Sequence, residues 1–260
     1  MSETPIFYAT VLFLASMTGW GIFMLTKKQA SKGVKVMLAF SAAYLLGITL
    51  LHLFPELYHS DVPNIGWYVV AGFLLQVVLD FFSHGVEHGH AHTHQHQGTR
   101  FLVSVMVSLW IHAFIEGMPF GGVVEMHDHH HGAHSHDHSH GIVIHDHRMS
   151  LLLGISLHKV TEALVFTALL VGMGMRMGKI LGWMILFALM APFGAFAHYF
   201  IGMSGVANLA TFTPMVTGVL IGILLHVSTI ILFESDESHS FNWMKFVAIL
   251  VGLAMAGFVS

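Results

Sequence analysis

The chain has 260 residues, 55% hydrophobic and 9% charged, with a mean hydropathy of +0.73. A soluble domain carries about 25% charged residues, so this composition marks an integral membrane protein. The lack of cysteine excludes disulfides and thiolate metal ligands, while the formal charge of -4 says little beside 23 histidines that titrate near pH ~6.5. No nucleic-acid partner is expected.

Apolar runs of about 20 residues predict an all-α, multi-pass domain covering 1–260. Eight spans are expected, roughly at 5–26, 36–58, 65–83, 101–123, 149–173, 179–202, 212–234 and 242–259, the third and last being short. The first is read as a retained span rather than a signal peptide, because its basic residues follow the apolar stretch and no small-residue cleavage site is evident. With the N-terminus outside, Lys27, Lys28, Lys32, Lys35, Arg100, Arg176, Lys179 and Lys245 all fall on the cytoplasmic side. The positive-inside rule then predicts a cell-membrane protein with both termini extracytoplasmic.

Two histidine-rich segments interrupt the spans. The first, within a cytoplasmic loop at 84–100, carries six histidines; the second, within an extracytoplasmic loop at 124–148, carries ten, with Asp128, Asp137 and Asp146 among them. Neither has the apolar content to fold alone, and neutral imidazole is the commonest metal ligand, so both are expected to bind divalent metal weakly at interchangeable sites.

Three spans carry histidine followed four residues later by glutamate: His52/Glu56, His112/Glu116 and His158/Glu162. On a helix this spacing stacks both side chains on one face, so each pair can present a nitrogen and an oxygen to one point. An ionisable group near the bilayer centre costs roughly 2.5–3.5 kcal/mol, so six of them must be paired or bound, and a dehydrated cation is the simplest partner. The competing reading is interhelical hydrogen-bond glue. Two such pairs on consecutive spans, with His112, His158 and Glu162 near mid-bilayer and Glu116 about a turn further out, favour the metal. Pro119 and Pro55 lack the N–H that would take the Ile115 and Leu51 carbonyls, as expected where broken helices line a cavity.

The fourth and fifth spans, with His112, Glu116 and Gly117 on one and His158, Lys159 and Glu162 on the other, resemble the paired signature helices of the ZIP (Zrt/Irt-like) family of divalent-metal transporters. The resemblance implies eight spans, external termini, a histidine-rich loop between the third and fourth spans, and His112, Glu116, His158 and Glu162 as ligands of a transported ion. It also makes a homodimer an expectation. Ala113 stands where the family usually has asparagine, and Lys159 occupies a position that supplies a ligand in members with a two-metal centre. A protonated lysine cannot coordinate, so one metal is expected, with the ammonium offsetting part of the carboxylate charge.

Around this site, His52 is read as completing the shell or forming an entrance station with Glu56. His59 and Asp61 either continue that track or anchor the interface. Gln76, Asp80 and His84 form a four-residue stripe that is either an exit route or helix packing, and His198 and His226 are either pathway residues or hydrogen-bonded core. The expected function is movement of Zn2+, with Fe2+, Mn2+ and Cd2+ as further substrates, toward the cytoplasm, by a protein that is not an enzyme and holds no catalytic cofactor. The alternatives are an intramembrane zinc-dependent hydrolase, against which no convincing general base is visible, and a metal sensor, for which polar midplane residues would be unnecessary.

Overall fold

The computed structural model describes residues 4–26, 32–83, 98–122, 145–233 and 242–258; nearly all of the two histidine-rich loops, and hence their sidedness, lies outside them. The helices are α1 (Pro5–Thr26), α2 (Lys32–Ile48), α3 (Phe54–Tyr58), α4 (Gly66–Ser83), α5 (Thr99–Gly117), α6 (His145–Gly172), α7 (Met177–Ser204), α8 (Leu209–Phe233) and α9 (Trp243–Phe258). No strand occurs among the described residues. Among the described residues, seven helical segments are long and apolar enough to cross a membrane, one of them the joined stretch Gly33–Tyr58. The eighth expected span is the 16-residue α9, about 24 Å long at 1.5 Å per residue against a hydrocarbon core of about 30 Å. The protein is an all-α membrane protein, and its exposed side chains, such as Trp67, Leu74 and Phe81 on α4, are those a lipid-facing surface carries.

Between α2 and α3 the chain makes one π-helical turn, Thr49–Leu53, closed by the Phe54 N–H donating to the Thr49 carbonyl. The extra residue per turn falls just before Pro55, whose ring removes the hydrogen bond an α-helix would need there. Pro119 acts differently. The Met118 N–H takes the Ile115 carbonyl, and the chain tightens into a 3-10 turn, Met118–Gly121, so the carbonyl expected to be freed beside Glu116 has a donor.

Glycine sets the helix pairing. At Gly117 and Gly121 a Cβ would collide with the Ala191 and Ala195 carbonyls, and at Gly194 with that of Phe114, so α5 and α7 run parallel with backbones in contact. Gly72 against the Val219 carbonyl brings α4 and α8 together, and Gly218 beside the Val69 nitrogen with Gly222 beside that of Phe73 shows that they too run parallel. At Gly202 a Cβ would instead meet the Leu209 side chain, and at Gly218 those of Tyr68 and Leu57. Lipid is as apolar as leucine, so such contacts rather than hydrophobic exclusion hold spans together.

Further packing joins α1 to α6 and α7, α2 to α9, and α6 to α2. Two apolar layers lie along the membrane axis, one containing Tyr8, Tyr44, Phe120, Leu151 and Ile155, the other Met106, Leu109, Phe166, Leu169 and Met184. The segments between them on α5 and α6 carry His112, Glu116, His158 and Glu162.

Replacing Gly117 by alanine should destabilise the detergent-solubilised protein by roughly 1–3 kcal/mol, as overpacking does. Gly21→Ala, where a Cβ meets nothing within 4 Å, should be neutral or stabilising. Thermal unfolding of both variants checks this, and equal midpoints would contradict the close-contact assignment.

Candidate metal centre

The centre is built from α5 and α6, which share no extended backbone contact and are joined there by the Lys159–Glu116 ion pair. His112, Glu116, His158 and Lys159 are 0% exposed and Glu162 is 1% exposed. One ligand atom each from His112, Glu116 and His158 lies within 4.8 Å of the other two. His112 Nε2 is 3.2 Å from Glu116 Oε1. Bond lengths of about 2.0–2.2 Å in a tetrahedral zinc shell place neighbouring ligand atoms about 3.3–3.6 Å apart, so this edge is close to a ligand-to-ligand edge.

His112 is held from behind. Its Nδ1 lies 3.0 Å from Gln76 Oε1 on α4. With that carbonyl oxygen accepting, Nδ1 carries the proton and Nε2 turns its lone pair toward the carboxylate. Two acceptors then face each other at 3.2 Å, and either a proton on Nε2 or a metal ion would satisfy both. Among the described residues neither ring nitrogen of His158 has a hydrogen-bond partner, and leaving a buried polar atom unpaired costs about 1–3 kcal/mol. A metal bound to His158 would remove part of that cost.

The fourth expected ligand is placed differently. Glu162 is not in the three-residue group; its Oε2 is 2.6 Å from Lys159 Nζ, and its Oε1 has no hydrogen-bond partner among the described residues. The same ammonium lies 2.6 Å from Glu116 Oε2 and 5.1 Å from the Phe187 ring centre on α7, within cation–π range. Lys159 thus lies between the two carboxylates. The ligand triad and the Lys159 triad share Glu116, which turns one oxygen to each.

His52 faces away from this centre: its Nε2 donates to the Ala256 carbonyl on α9 at 2.9 Å. Glu56 is half-buried on α3, within electrostatic reach of Arg148. Neither belongs to the buried group. His59 is exposed and donates through Nδ1 to the Pro55 carbonyl at 2.7 Å, and Asp61 is exposed. His198 is core, donating to the Met118 carbonyl at 2.8 Å and accepting from Thr213 Oγ1 at 3.1 Å. His226 packs edge-on against Phe73 with ring centres 5.1 Å apart. His84 lies outside the described residues, Asp80 is half-buried, and Gln76 is fully buried.

The stripe Ser104, Ser108 and His112 on α5 was not singled out in the sequence. Ser104 donates to the Phe82 carbonyl at 2.8 Å and Ser108 to that of Leu79 at 2.5 Å, so α4 is stitched antiparallel to α5 and Gln76 falls opposite His112. Its four-residue spacing was the available signal.

No protein-family model matches the chain, and a search of curated proteins finds no match. The architecture and the centre define a multi-pass membrane protein with a buried His/Glu cluster compatible with metal binding.

Outer-shell partners of a ligating histidine typically account for 10–100-fold in metal affinity. In a background with the loop histidines replaced by serine, Gln76→Leu should weaken Zn2+ binding by about that factor, as read by competition with a chromogenic chelator. Unchanged affinity would remove Gln76 from the centre.

Proposed function

We propose that the chain is a ZIP-like carrier that moves divalent cations, Zn2+ first among them, across the cell membrane toward the cytoplasm. The observation that carries this reading is the convergence of His112, Glu116 and His158 in a fully buried position. The nitrogen and carboxylate-oxygen donors suit zinc and its first-row neighbours, and the absence of cysteine leaves no thiolate to hold a softer ion. Direction and sidedness come from the resemblance of the fourth and fifth spans to the ZIP signature helices and from the distribution of basic residues.

In this reading the ion sheds water onto His112, Glu116 and His158 between two apolar layers, and leaves when helix rearrangement opens one layer in place of the other. Glu162 stays with Lys159. A hydrolase needs a carboxylate or imidazole free to take a proton from metal-bound water, whereas Lys159 contacts both nearby carboxylates at 2.6 Å. That engagement favours carriage over hydrolysis.

Purified protein in liposomes should take up Zn2+ saturably, and Glu116→Ala or His158→Ala should abolish that component while the fold persists. Protonated imidazole and carboxylic acid do not ligate, so uptake should fall as external pH drops from 7.5 to 5.5. Wild-type flux from the Glu116→Ala protein would refute the assignment, and lipid or peptide turnover without flux would favour the hydrolase.

A further inference from the structure

Lys159 is the largest charged side chain in the buried core, and its ammonium has no solvent contact. It is 2.6 Å from Glu116 Oε2 and 2.6 Å from Glu162 Oε2, while Glu116 Oε1 is turned to His112. With neutral imidazoles, two carboxylates and one ammonium leave the centre one negative charge, and a bound divalent ion leaves it one positive charge. The magnitudes match. Without the ammonium the same centre would carry two negative charges when empty and none when loaded. A carrier must pass its site through the apolar part of the membrane in both conditions, and buried unpaired charge is what that passage penalises.

We infer that Lys159 is a built-in counter-ion that lets the empty site reorient, making the protein a net carrier rather than an obligatory exchanger of divalent cations. This rests on the carrier reading above. Lys159 touches no ligand-binding atom of the histidines in this arrangement; it holds Glu116 from the side opposite His112 and keeps Glu162 paired. It is therefore a positioning and charge-balancing residue. The inference concerns the return step, which binding measurements do not see.

Two flux modes separate the roles. Net uptake of radioactive Zn2+ into zinc-free liposomes requires the empty site to return, whereas exchange with equal Zn2+ on both sides does not. Wild-type protein should perform both. Lys159→Met, which keeps the side-chain bulk and removes the charge, should lose net uptake at least tenfold more than exchange. Lys159→Arg should retain the wild-type ratio. Lys159→Met combined with Glu162→Gln restores one negative charge when empty and one positive charge when loaded, and should recover net uptake relative to exchange. A merely structural lysine would regain stability from the same second change, because Glu162 would no longer be left buried and unpaired, but its loss and rescue would move both flux modes together and leave their ratio unchanged.

Equal loss of both modes in a folded, zinc-binding Lys159→Met protein would overturn the inference and leave the carrier reading standing. So would a folded, exchanging double variant whose net uptake stays lost, which keeps the test decisive should Lys159→Met alone fail to fold. Wild-type protein that binds Zn2+ but moves it in neither mode would overturn the carrier reading and this inference with it.

Discussion

The buried ammonium of Lys159, held at 2.6 Å from each of two carboxylates, is the contact on which the rest of the interior depends. Placing Glu116 and Glu162 in a region sealed from water costs several kcal/mol per ion unless each is compensated. Lys159 compensates both from within α6, and so reaches across to α5 without needing the two backbones to touch. Breaking one partner from such an assembly typically costs 3–5 kcal/mol, because the remaining charge stays buried. The triad is therefore better understood as a constraint on where the two helices sit than as a surplus of stability.

That constraint operates because the neighbouring helices are fixed by other means. Close glycine contacts join α5 to α7 and α4 to α8, and hydroxyl bonds from Ser104 and Ser108 stitch α5 to α4. With α5 held on two sides, its His112/Glu116 face is left toward α6. Gln76 then sets the ring of His112 from α4. The imidazole, the carboxylate and the ammonium thus belong to one network whose geometry is imposed by apolar packing around it, which is the usual way a protein holds polar groups at low dielectric.

The spans were legible because an apolar run of membrane length has few other uses, and the His112/Glu116 and His158/Glu162 pairs because a four-residue period on a helix fixes a shared face. What a period cannot fix is the azimuth of that face against a neighbour. His52/Glu56 carries the same spacing, yet the π turn Thr49–Leu53 and the packing of α2 on α9 direct His52 to the Ala256 carbonyl. Glu162 shares its helix face with His158, but the competition with Lys159, three residues before it, is decided by side-chain reach. Gln76 looked equally like packing or pathway because its partner lies 36 residues away, a separation on which local spacing is silent. Pro119 predicted a freed carbonyl at Ile115; a 3-10 turn supplied Met118 as its donor.

Under the carrier reading, the two apolar layers flanking the centre differ in what their opening would disturb. In the layer with Phe166, Leu169 and Met184, Phe166 packs on Phe187 with ring centres 5.6 Å apart and the Met184 sulfur accepts from Thr167 Oγ1 at 3.4 Å. The other includes a stacked Tyr8–Phe120 pair with ring centres 5.3 Å apart and a Tyr44 hydroxyl that donates to the Ser150 carbonyl at 3.2 Å. It also abuts the 3-10 turn after Glu116, whose Met118 carbonyl is taken by His198. Opening this second layer would move aromatic rings, a short tight turn and hydrogen bonds together, since Phe120 and Met118 belong to the same four-residue segment. Displacing the first layer would also move rings and the Thr167–Met184 contact, but its buried residues all lie within α5, α6 and α7 and include no such turn. Under the carrier reading, the layer next to the 3-10 turn is thus the one whose movement is mechanically joined to Glu116, because the turn begins two residues after that ligand.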